Sequence, residues 1–499
     1  MKISFLNSNP SGRRFALLIS LVLLGTFMQT CKVGDNYERP EKELALEDKY
    51  RNIEETDSTT LAQLPWRDIF DDPVLVALID SGLNNNMDLL RAVARINESR
   101  AYVKEANSSL LPHIGVDGQA SRAANSDNSA IALFLGDETG GVTASNLNNY
   151  KVGVGLMSYE IDLWGKLRRS KESALAKMLE TEAARQTIQN TVIAEIASNY
   201  YDLIRLDQQL QITQANIALR QKTYDLIKLK NDKGVESGLA LKQVESVLYN
   251  AKAMVPQIEQ QIQIRENALN LLVGRYPTTL ERGKPLGEQT VRENLPTGIP
   301  TQLLVYRPDV VAAEMNLAST NADIGVAKAY FYPSLTISAG LGYESVGVSN
   351  LFQTPESIFW NIAAGLTAPI FQGGRNKARL RQAEARMQQA YIDYRYSVMG
   401  AVKEVADAVI SIEKTEQQYQ AKLKEVQARQ KAVEYSEALF SRGSASYLEV
   451  IEAQRYTLTA ELELSDIRKN QLIAIINLYK ALGGGWDASP NETAQSDAE

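Results

Sequence analysis

The chain has 499 residues, with 53 Lys and Arg against 60 Asp and Glu, which gives a formal net charge of −7. This mild acidity argues against nucleic acid as the main partner, because phosphate binding needs a basic surface. The single histidine, His113, and the single cysteine, Cys31, argue against a His/Cys metal site, a Cys-His nucleophile pair and an internal disulfide. His113 follows a proline at a strand start, so we interpret it as structural. We expect no enzyme, cofactor or metal site.

Residues 1–30 have the features of a secretory signal peptide. A basic start precedes an apolar stretch over 15–27, which is shorter than the about 20 residues a membrane-spanning helix needs. Cys31 follows it, so we predict an exported lipoprotein acylated at Cys31. Such signals usually carry Leu and Gly or Ala where Met28 and Thr30 stand here. The alternative is a free thiol in a cleaved or disordered segment.

The rest of the chain contains two copies of one unit. Displaced by 209 positions, Gly165 aligns with Gly374, and the alignment continues without a gap to the end of the unit. Ahead of this stretch, a displacement of 221 aligns Pro112 with Pro333. The first copy is therefore 12 residues longer, and we place the extra residues within about 121–149.

Periodicity and turn residues predict the order of elements. The predicted segments are a signal peptide over 1–30, an N-terminal lipid-anchored extended segment over 31–73, a first repeat over 74–275, a Pro-rich linker over 276–300, a second repeat over 301–484 and a polar tail over 485–499. The first repeat has a helical run over about 74–111, strands over about 112–122 and 150–164, a long helix over about 166–231, a tip over 232–238 and a return helix over 239–274. The second has a helical run over about 309–331, strands over about 333–344 and 358–371, a long helix over about 375–441, a tip over 442–446 and a return helix over 447–482.

The long helices carry an apolar residue at every seventh position. A strict seven-residue repeat predicts left-handed supercoiling against neighbouring helices, and about 65 helical residues extend roughly 100 Å. The stripe consists of Ile196, Leu203, Leu210, Ile217 and Tyr224 in the first copy and Val405, Ile412, Tyr419, Val426 and Val433 in the second.

The predicted strands alternate apolar and small or polar residues over lengths near the about 9–11 residues of a membrane strand. The alternative is two soluble hairpins with one buried face. Four strands cannot close a barrel, and open edges are not tolerated in lipid, so several chains would have to pool them. Two chains would give about eight strands and a filled barrel; three would give about 12 and a lumen, so a conduit favours a trimer. The extra loop of the first copy is then expected to be extracellular.

Five segments resemble motifs of one family, the TolC-like (NodT-type) outer-membrane efflux factors. They are Cys31 to Pro40 (C-x-V-G-x-x-Y-x-R-P), Trp66 to Pro73 (W-x-x-[FL]-F-x-D-P), Arg307 to Val310 (R-P-D-[VI]), Pro369 to Arg375 (P-[IL]-F-x-G-G-x) and Gly443 to Gln454, a helix-hairpin tip. The resemblance covers nearly the whole mature chain in family order. It implies a mixed, mainly α fold with membrane β-structure: a homotrimeric 12-stranded outer-membrane barrel, four strands per chain, continued by a long α-helical coiled-coil barrel in the periplasm.

The resemblance also implies partners and a gate. A periplasmic adaptor is expected to hold the helix tips, and an inner-membrane resistance-nodulation-division transporter to supply energy, because the chain has no P-loop motif. Leu448, Glu449 and Glu452 fall where related ducts place their constriction, and the two glutamates, three apart, share one helix face. They are alternatively solvated outer-face residues of the tip. The expected docking residues for the adaptor are Gly234, Ser237, Gly238, Gly443, Ser444 and Ser446.

The function that we predict is a passive exit duct for drugs, toxic compounds or metal ions, lipid-anchored in the outer membrane and extending into the periplasm. One alternative is the exit duct of a type I protein secretion system. A second, of a different class, is a periplasmic coiled-coil scaffold or adhesin, which explains the heptads but not the alternating strands.

Overall fold

The computed structural model describes residues 32–40, 44, 46, 60, 64–123, 147–290, 296–298 and 300–484. The signal peptide, Cys31, most of the loop predicted to hold the 12 extra residues and the tail lie outside the described residues. The chain divides into two compact units. The sheet unit contains the described residues of 1–39, 98–178 and 316–391, and the helical unit contains those of 40–97, 179–315 and 392–499.

Most of the described chain is helical. The helices are α1 (Trp66–Ile69), α2 (Pro73–Asn85), α3 (Met87–Ser108), α4 (Lys166–Asp232), α5 (Gly238–Leu272), α6 (Leu303–Tyr306), α7 (Pro308–Ala329), α8 (Arg375–Ser441) and α9 (Tyr447–Ala481). Helices α4 and α8 each have 67 residues, and α5 and α9 each have 35. Within the described residues, no helix is both long and apolar enough to cross a membrane.

The four strands form one antiparallel sheet in the order β1-β2-β3-β4. They are β1 (Ile114–Ala123), β2 (Leu147–Ile161), β3 (Ser334–Ser345) and β4 (Ile358–Thr367). The register is regular except for a bulge in β2 between Leu156 and Tyr159. Strands β1 and β4 are the edges of the sheet, and β2 and β3 are its central pair.

The heptad stripe of the long helices faces the protein interior in the helical unit. Ile196, Leu203 and Val405 are fully buried, and Val426 and Val433 are also buried. The remaining stripe residues are partly buried. Burial of one apolar stripe per helix is what holds such helices together, because propensity alone stabilises long helices only weakly.

Several element ends differ from the sequence-based expectation. The first helical run is broken at Asn86, whose Oδ1 accepts hydrogen bonds from the amides of Asp88 and Leu89 and so begins α3. Strand β2 ends at Ile161, because the Asp162 carboxylate accepts from the first amides of α4. Strand β4 ends at Thr367, two residues before a proline that cannot donate to a ladder.

The end of each return helix is fixed by a polar side chain from the other end of its own repeat. Asn86 Nδ2 donates to Leu272 O at 2.8 Å, and Arg307 Nη1 donates to Ala481 O at 3.0 Å. A left-handed glycine follows each helix, Gly274 with φ 71° and Gly483 with φ 88°. Each also approaches backbone too closely for any side chain, since an added Cβ would lie 2.4 and 2.3 Å from a carbonyl oxygen.

Candidate functional site: sheet faces and helix tips

One face of the sheet is apolar across all four strands. Val116 pairs with Val154, Val154 with Leu341, and Leu341 with Trp360. Their exposed fractions are 77%, 53%, 59% and 73%. An exposed apolar surface of this extent marks contact with a membrane or another protein. The same face also carries Ile114, Val152, Leu335, Ile337, Ile358, Ile362 and Leu366.

The opposite face is polar and contains a glycine floor, Gly153 and Gly342, which are paired across β2 and β3. The ring of Phe359 lies over this floor: a Cβ added at either glycine would come within 3.2 and 2.9 Å of the ring. Lys151 Nζ sits 4.2 Å from the Phe359 ring centroid, a cation–π contact. The glycines therefore let an aromatic ring lie against the sheet on its polar face.

At the end of the sheet where β2 leads into α4, an aromatic cluster surrounds a cavity of about 180 Å³. Trp164 stacks on Tyr332 with ring centroids 4.7 Å apart, and its indole Nε1 donates to Pro333 O at 2.7 Å. Lys166 bonds Glu160 at 2.6 Å beside the cavity. Tryptophan and tyrosine with one apolar and one polar end are typical of the boundary between lipid and water.

Next to this cluster, a buried arginine holds the N-terminal segment. Arg169 is 1% exposed, and its guanidinium donates to the carbonyls of Val33 and Gly34 and to Glu172. Gly34 has φ +88°, and a Cβ there would lie 3.0 Å from Gly325 Cα. Gly34 of the first motif is thus required by its positive φ and by its close packing against α7.

A buried carboxylate organises the second motif in the helical unit. Asp72 is fully buried and caps α2 by accepting from Val74 N at 2.9 Å. It also accepts from the Tyr200 hydroxyl, from Lys284 N and from Gln289 Nε2, at 2.8, 3.0 and 2.8 Å. Burial and the bond to Asp72 raise the pKa of the Tyr200 phenol, so it stays a donor. Asp72 of the Trp66 to Pro73 segment therefore joins residues 284 and 289 to two helices, α2 and α4.

The neighbouring Asp71 is half-exposed and bonds Lys284 Nζ and Thr290 Oγ1, each at 2.9 Å. Burial alone would raise the pKa of the Asp71 carboxyl. The hydrogen bonds from Lys284 and Thr290 outweigh this and hold the pKa below its ordinary value.

The R-P-D segment is also a structural junction. Arg307 is 6% exposed and bonds Asp309 and Glu404 besides the Ala481 carbonyl. Burial disfavours the charged guanidinium, but the two carboxylates outweigh it and raise the pKa of Arg307. Only arginine supplies this many donors in one plane.

In the first helix tip, Gly234 takes φ +70° directly after α4, and Ser237 caps α5 by accepting from Ala240 N at 3.1 Å. Gly238 opens α5, and a Cβ there would meet nothing within 4 Å. Two apolar side chains beside these residues are largely exposed: Val235 at 70% and Leu239 at 67%.

The second tip has the same construction. Gly443 has φ +77°, Ser444 N donates to Leu439 O at 2.9 Å, and Ser446 is the N-cap of α9. Glu449 Oε2 accepts from Ser446 N at 3.3 Å, which gives this glutamate a local capping role. The Ser446-x-x-Glu449 spacing is the sequence signature of a capping box, so this role of Glu449 is predictable from the sequence.

Leu448 and Glu452 lie in the first turns of α9 and are exposed. Leu448 is 47% exposed, and the side chain of Glu452 is 63% exposed, with Arg455 3.9 Å away. One chain therefore brings Leu448, Glu449 and Glu452 together on the start of one helix. Of the predicted site residues, Cys31 alone lies outside the described residues.

The two tips pack against each other through a small apolar core, the tip cluster. Its buried members are Ile227, Ala240, Val244, Phe440, Val450 and Ile451. Lys230 lies over the Phe440 ring at 4.0 Å, and the Tyr447 hydroxyl bonds Gln243 across the two tips. The tips of one chain thus form one compact body.

The part of the chain that the structure describes contains no group of three His, Cys, Asp or Glu residues arranged to hold a metal. Carboxylates of the helical unit instead form ion pairs within and between helices. Asp202, for example, lies 2.8 Å from Arg205 and 2.7 Å from Arg265. What the described residues offer is extended surfaces, apolar on one sheet face and polar on the other.

The family model described as "Outer membrane efflux protein" matches residues 78–275 and 299–484. The chain is 29% identical to the probable outer membrane lipoprotein SilC of Salmonella typhimurium, over 84% of this chain and 88% of SilC. It is 31% identical to the probable efflux pump outer membrane protein TtgC of Pseudomonas putida, over 94% and 96%. Its fold is similar to the open state of the Neisseria gonorrhoeae MtrE outer membrane channel, with a TM-score of 0.81, 30% identity and coverage of 91% and 98%.

Proposed function

This chain belongs to the outer membrane efflux protein family, and on that premise we propose that it is the outer-membrane exit duct of a tripartite efflux system. The observation that carries the proposal is the sheet with one continuous apolar face, one polar face and two open edges. The relatives described above are an outer membrane lipoprotein, an efflux-pump component and a channel. A duct needs no catalytic residue, and we propose no reaction for this protein.

The assembly that we propose is a homotrimer whose 12 strands close one barrel. The apolar face, with Trp360 at 73% exposure, suits lipid, and the polar face suits a water-filled lumen. The open edges of β1 and β4 require partners in lipid, because unpaired backbone groups there are costly. Three chains supply about 12 strands, enough for a lumen.

Two tandem repeats account for the helical part of the duct. The equal lengths of α4 and α8, and of α5 and α9, support this. So does the shared closure by Asn86 and Arg307 at the ends of the two return helices. In the trimer, the heptad-striped helices would form the coiled-coil barrel in the periplasm. The linker over 276–300 would join the two repeats and belong to neither.

Outer-membrane anchoring through Cys31 is the second part of the proposal. The residues immediately after Cys31 are held by Arg169 beside the Trp164 cluster at the end of the sheet. An acyl chain on Cys31 would therefore start near the boundary between lipid and water that this cluster indicates. Labelling with radioactive palmitate is the test: Cys31→Ser should lose the label, whereas an unlabelled wild-type protein that begins at another residue would contradict acylation.

The helix tips would bind the periplasmic adaptor and form the gate. Exposed Val235 and Leu239 at the first tip, and Leu448 at the second, are apolar surfaces suited to an adaptor or to the neighbouring copy. The expected docking residues remain Gly234, Ser237, Gly238, Gly443, Ser444 and Ser446. Energy would come from an inner-membrane transporter, since the sequence lacks a P-loop.

At the gate, three copies of Glu449 and Glu452 would form acidic rings around a narrow pore, with Leu448 as an apolar plug. Clustered carboxylates repel one another, so protonation or a bound cation should favour closure, and the rings should favour cations in any residual current. Single-channel recording of the Glu449→Ala, Glu452→Ala variant should show lower cation selectivity and weaker block by divalent cations. Glu461→Ala with Glu463→Ala removes the same charge further along α9 and should change neither; equal effects of both variants would place the gate elsewhere.

The duct itself is tested with wild-type protein in planar lipid bilayers. The proposal predicts SDS-resistant trimers that dissociate on heating and discrete conductance steps when those trimers insert. A protein that forms no SDS-resistant trimer and never increases bilayer conductance, even when the tip residues are substituted, would contradict the proposal. Cargo class is a separate property, because the transporter selects the solutes that enter.

A further inference from the structure

The loop after β4 exposes two large apolar side chains. Ile370 is 98% exposed and Phe371 is 89% exposed. The residues on either side, Pro369 and Gln372, line the cavity beside Trp164. The loop is thus attached to the sheet unit at both ends, while the two residues between point away from it. Nothing in the sheet unit explains the Ile-Phe pair of the P-[IL]-F-x-G-G-x segment.

This loop directly continues an edge strand. β4 and β1 form the two edges of the sheet, and each has ten residues. Successive strands alternate in direction, so β4 of one copy and β1 of the next would pair antiparallel in a closed ring. Antiparallel pairing brings the end of β4, Thr367, to the start of β1, Ile114. The residues just beyond Thr367 then lie beside those just before Ile114.

The two apolar faces restrict the register. In β1 the apolar face is formed by even-numbered residues such as Ile114 and Val116, and in β4 by even-numbered residues such as Leu366. A one-residue slip would turn one strand's apolar side chains to the other face, so even-numbered residues must pair with even-numbered residues. With the strand ends matched, Ile114 lies opposite Leu366 or Ala368. Both registers place Ile370 and Phe371 beside the segment 109–112 of the next copy.

That segment offers a matching surface. Leu111, three residues before β1, is 63% exposed, and Ile114 is 75% exposed. We propose that Ile370 and Phe371 form a latch that docks against Leu111 and the start of β1 in a second copy of this chain. This inference rests on the proposed trimer. In that trimer, Ile370 and Phe371 of each copy would close the seam with the next copy, at the junction between strands and helices. Continuity with an edge strand that must be paired favours another copy over lipid as the occupant.

Cysteine cross-linking tests the latch between copies. Two differently tagged chains are co-expressed, one with Leu111→Cys and the other with Phe371→Cys, because a disulfide forms only when the Cα atoms are about 4.4–6.8 Å apart. Oxidation should give a disulfide-linked pair that carries both tags. Each variant co-expressed with wild-type chain controls for Cys31. Leu111→Cys with Val348→Cys, an exposed residue of the loop between β3 and β4, is the mismatched pair and should not cross-link.

Two further measurements keep the outcomes distinct. Ile370→Ser with Phe371→Ser should lower the dissociation temperature of the SDS-resistant trimer. Val346→Ser with Val348→Ser, which replaces two residues that are also mostly exposed (69% and 62%), should not. A photoreactive benzophenone side chain at position 371 should label another copy of the chain, and labelling of phospholipid alone would overturn the latch. A conducting trimer without the Leu111–Phe371 cross-link also overturns the latch and leaves the duct intact, whereas a monomer that never conducts removes both.

Discussion

Asp72 is completely buried, and its carboxylate accepts hydrogen bonds from a helix N-terminus, a tyrosine hydroxyl and the linker between the repeats. Arg169 in the sheet unit and Arg307 in the helical unit likewise join distant segments, because each donates hydrogen bonds to backbone carbonyls. All three lie in or against segments that resemble family motifs. These residues therefore hold segments that are distant in the sequence together.

Asp72→Ala is expected to lower the free energy of unfolding by roughly 3 kcal/mol, because several buried donors lose their acceptor. Urea denaturation in detergent, followed by tryptophan fluorescence, measures this, since Trp66 lies nearby and is 2% exposed. Asp71→Ala is the matched control: its ion pair with Lys284 is half-exposed, so the expected loss is about 1 kcal/mol or less. Equal losses from the two variants would show that Asp72 does not organise this junction.

The contribution of Asp71 should depend on pH. Its pKa is lower in the folded chain than the ordinary 3.8, so it stabilises the fold above that value, and the effect is lost as pH falls through the folded pKa. The melting-temperature difference between wild type and Asp71→Asn should be constant near neutral pH and vanish in strong acid. A difference that stays the same down to the lowest pH at which the protein folds would contradict the assignment.

At the scale of elements, the helix tips combine a rigid core with exposed ends. The tip cluster buries Phe440 and Val450, while Leu448 and Glu452 on the same hairpin remain exposed. The tip cluster joins the two hairpins of one chain. In the proposed gate, we therefore expect the two tips to move as one body.

Phe440→Ala should loosen the tips locally, with a cost of about 3–5 kcal/mol typical of a buried Phe. Hydrogen exchange should accelerate in residues 227–244 and 440–451 and stay unchanged in the strands. Leu439→Ala, which truncates a side chain that is 46% exposed, serves as the control and should have little effect. Uniform acceleration along all helices would mean that the cluster is not a separate stabilising unit.

Much of this architecture follows from sequence periodicity. The seven-residue stripe predicted the buried face of the long helices, and period-two alternation predicted four strands with one apolar face. The break at Asn86 was missed because an asparagine cap inside a helical run leaves the apolar pattern intact. The hydrogen bond from Arg169 to the Gly34 carbonyl was missed because the two residues are 135 positions apart, and no local pattern pairs them. The capping role of Glu449 was missed, although its spacing from Ser446 indicated it.

For the whole molecule, the proposed function depends on how copies of the chain assemble. A single chain leaves an apolar sheet face, two strand edges and the Ile370–Phe371 pair without cover among the described residues. Closure of three copies, as proposed, would cover the edges and the pair at once, and lipid would cover the apolar face. The polar face, with Lys151 over Phe359 on its glycine floor, would then line the lumen.

Electron cryomicroscopy of the full-length mature protein, purified from the outer membrane into lipid nanodiscs, shows directly how the copies assemble. We expect three copies around one axis and a barrel of about 12 strands. In that barrel Trp360 and Ile362 face lipid, Phe359 faces a continuous lumen, and β4 of each copy pairs with β1 of the next. A monomer, or an oligomer whose apolar sheet face is turned away from lipid, would contradict it.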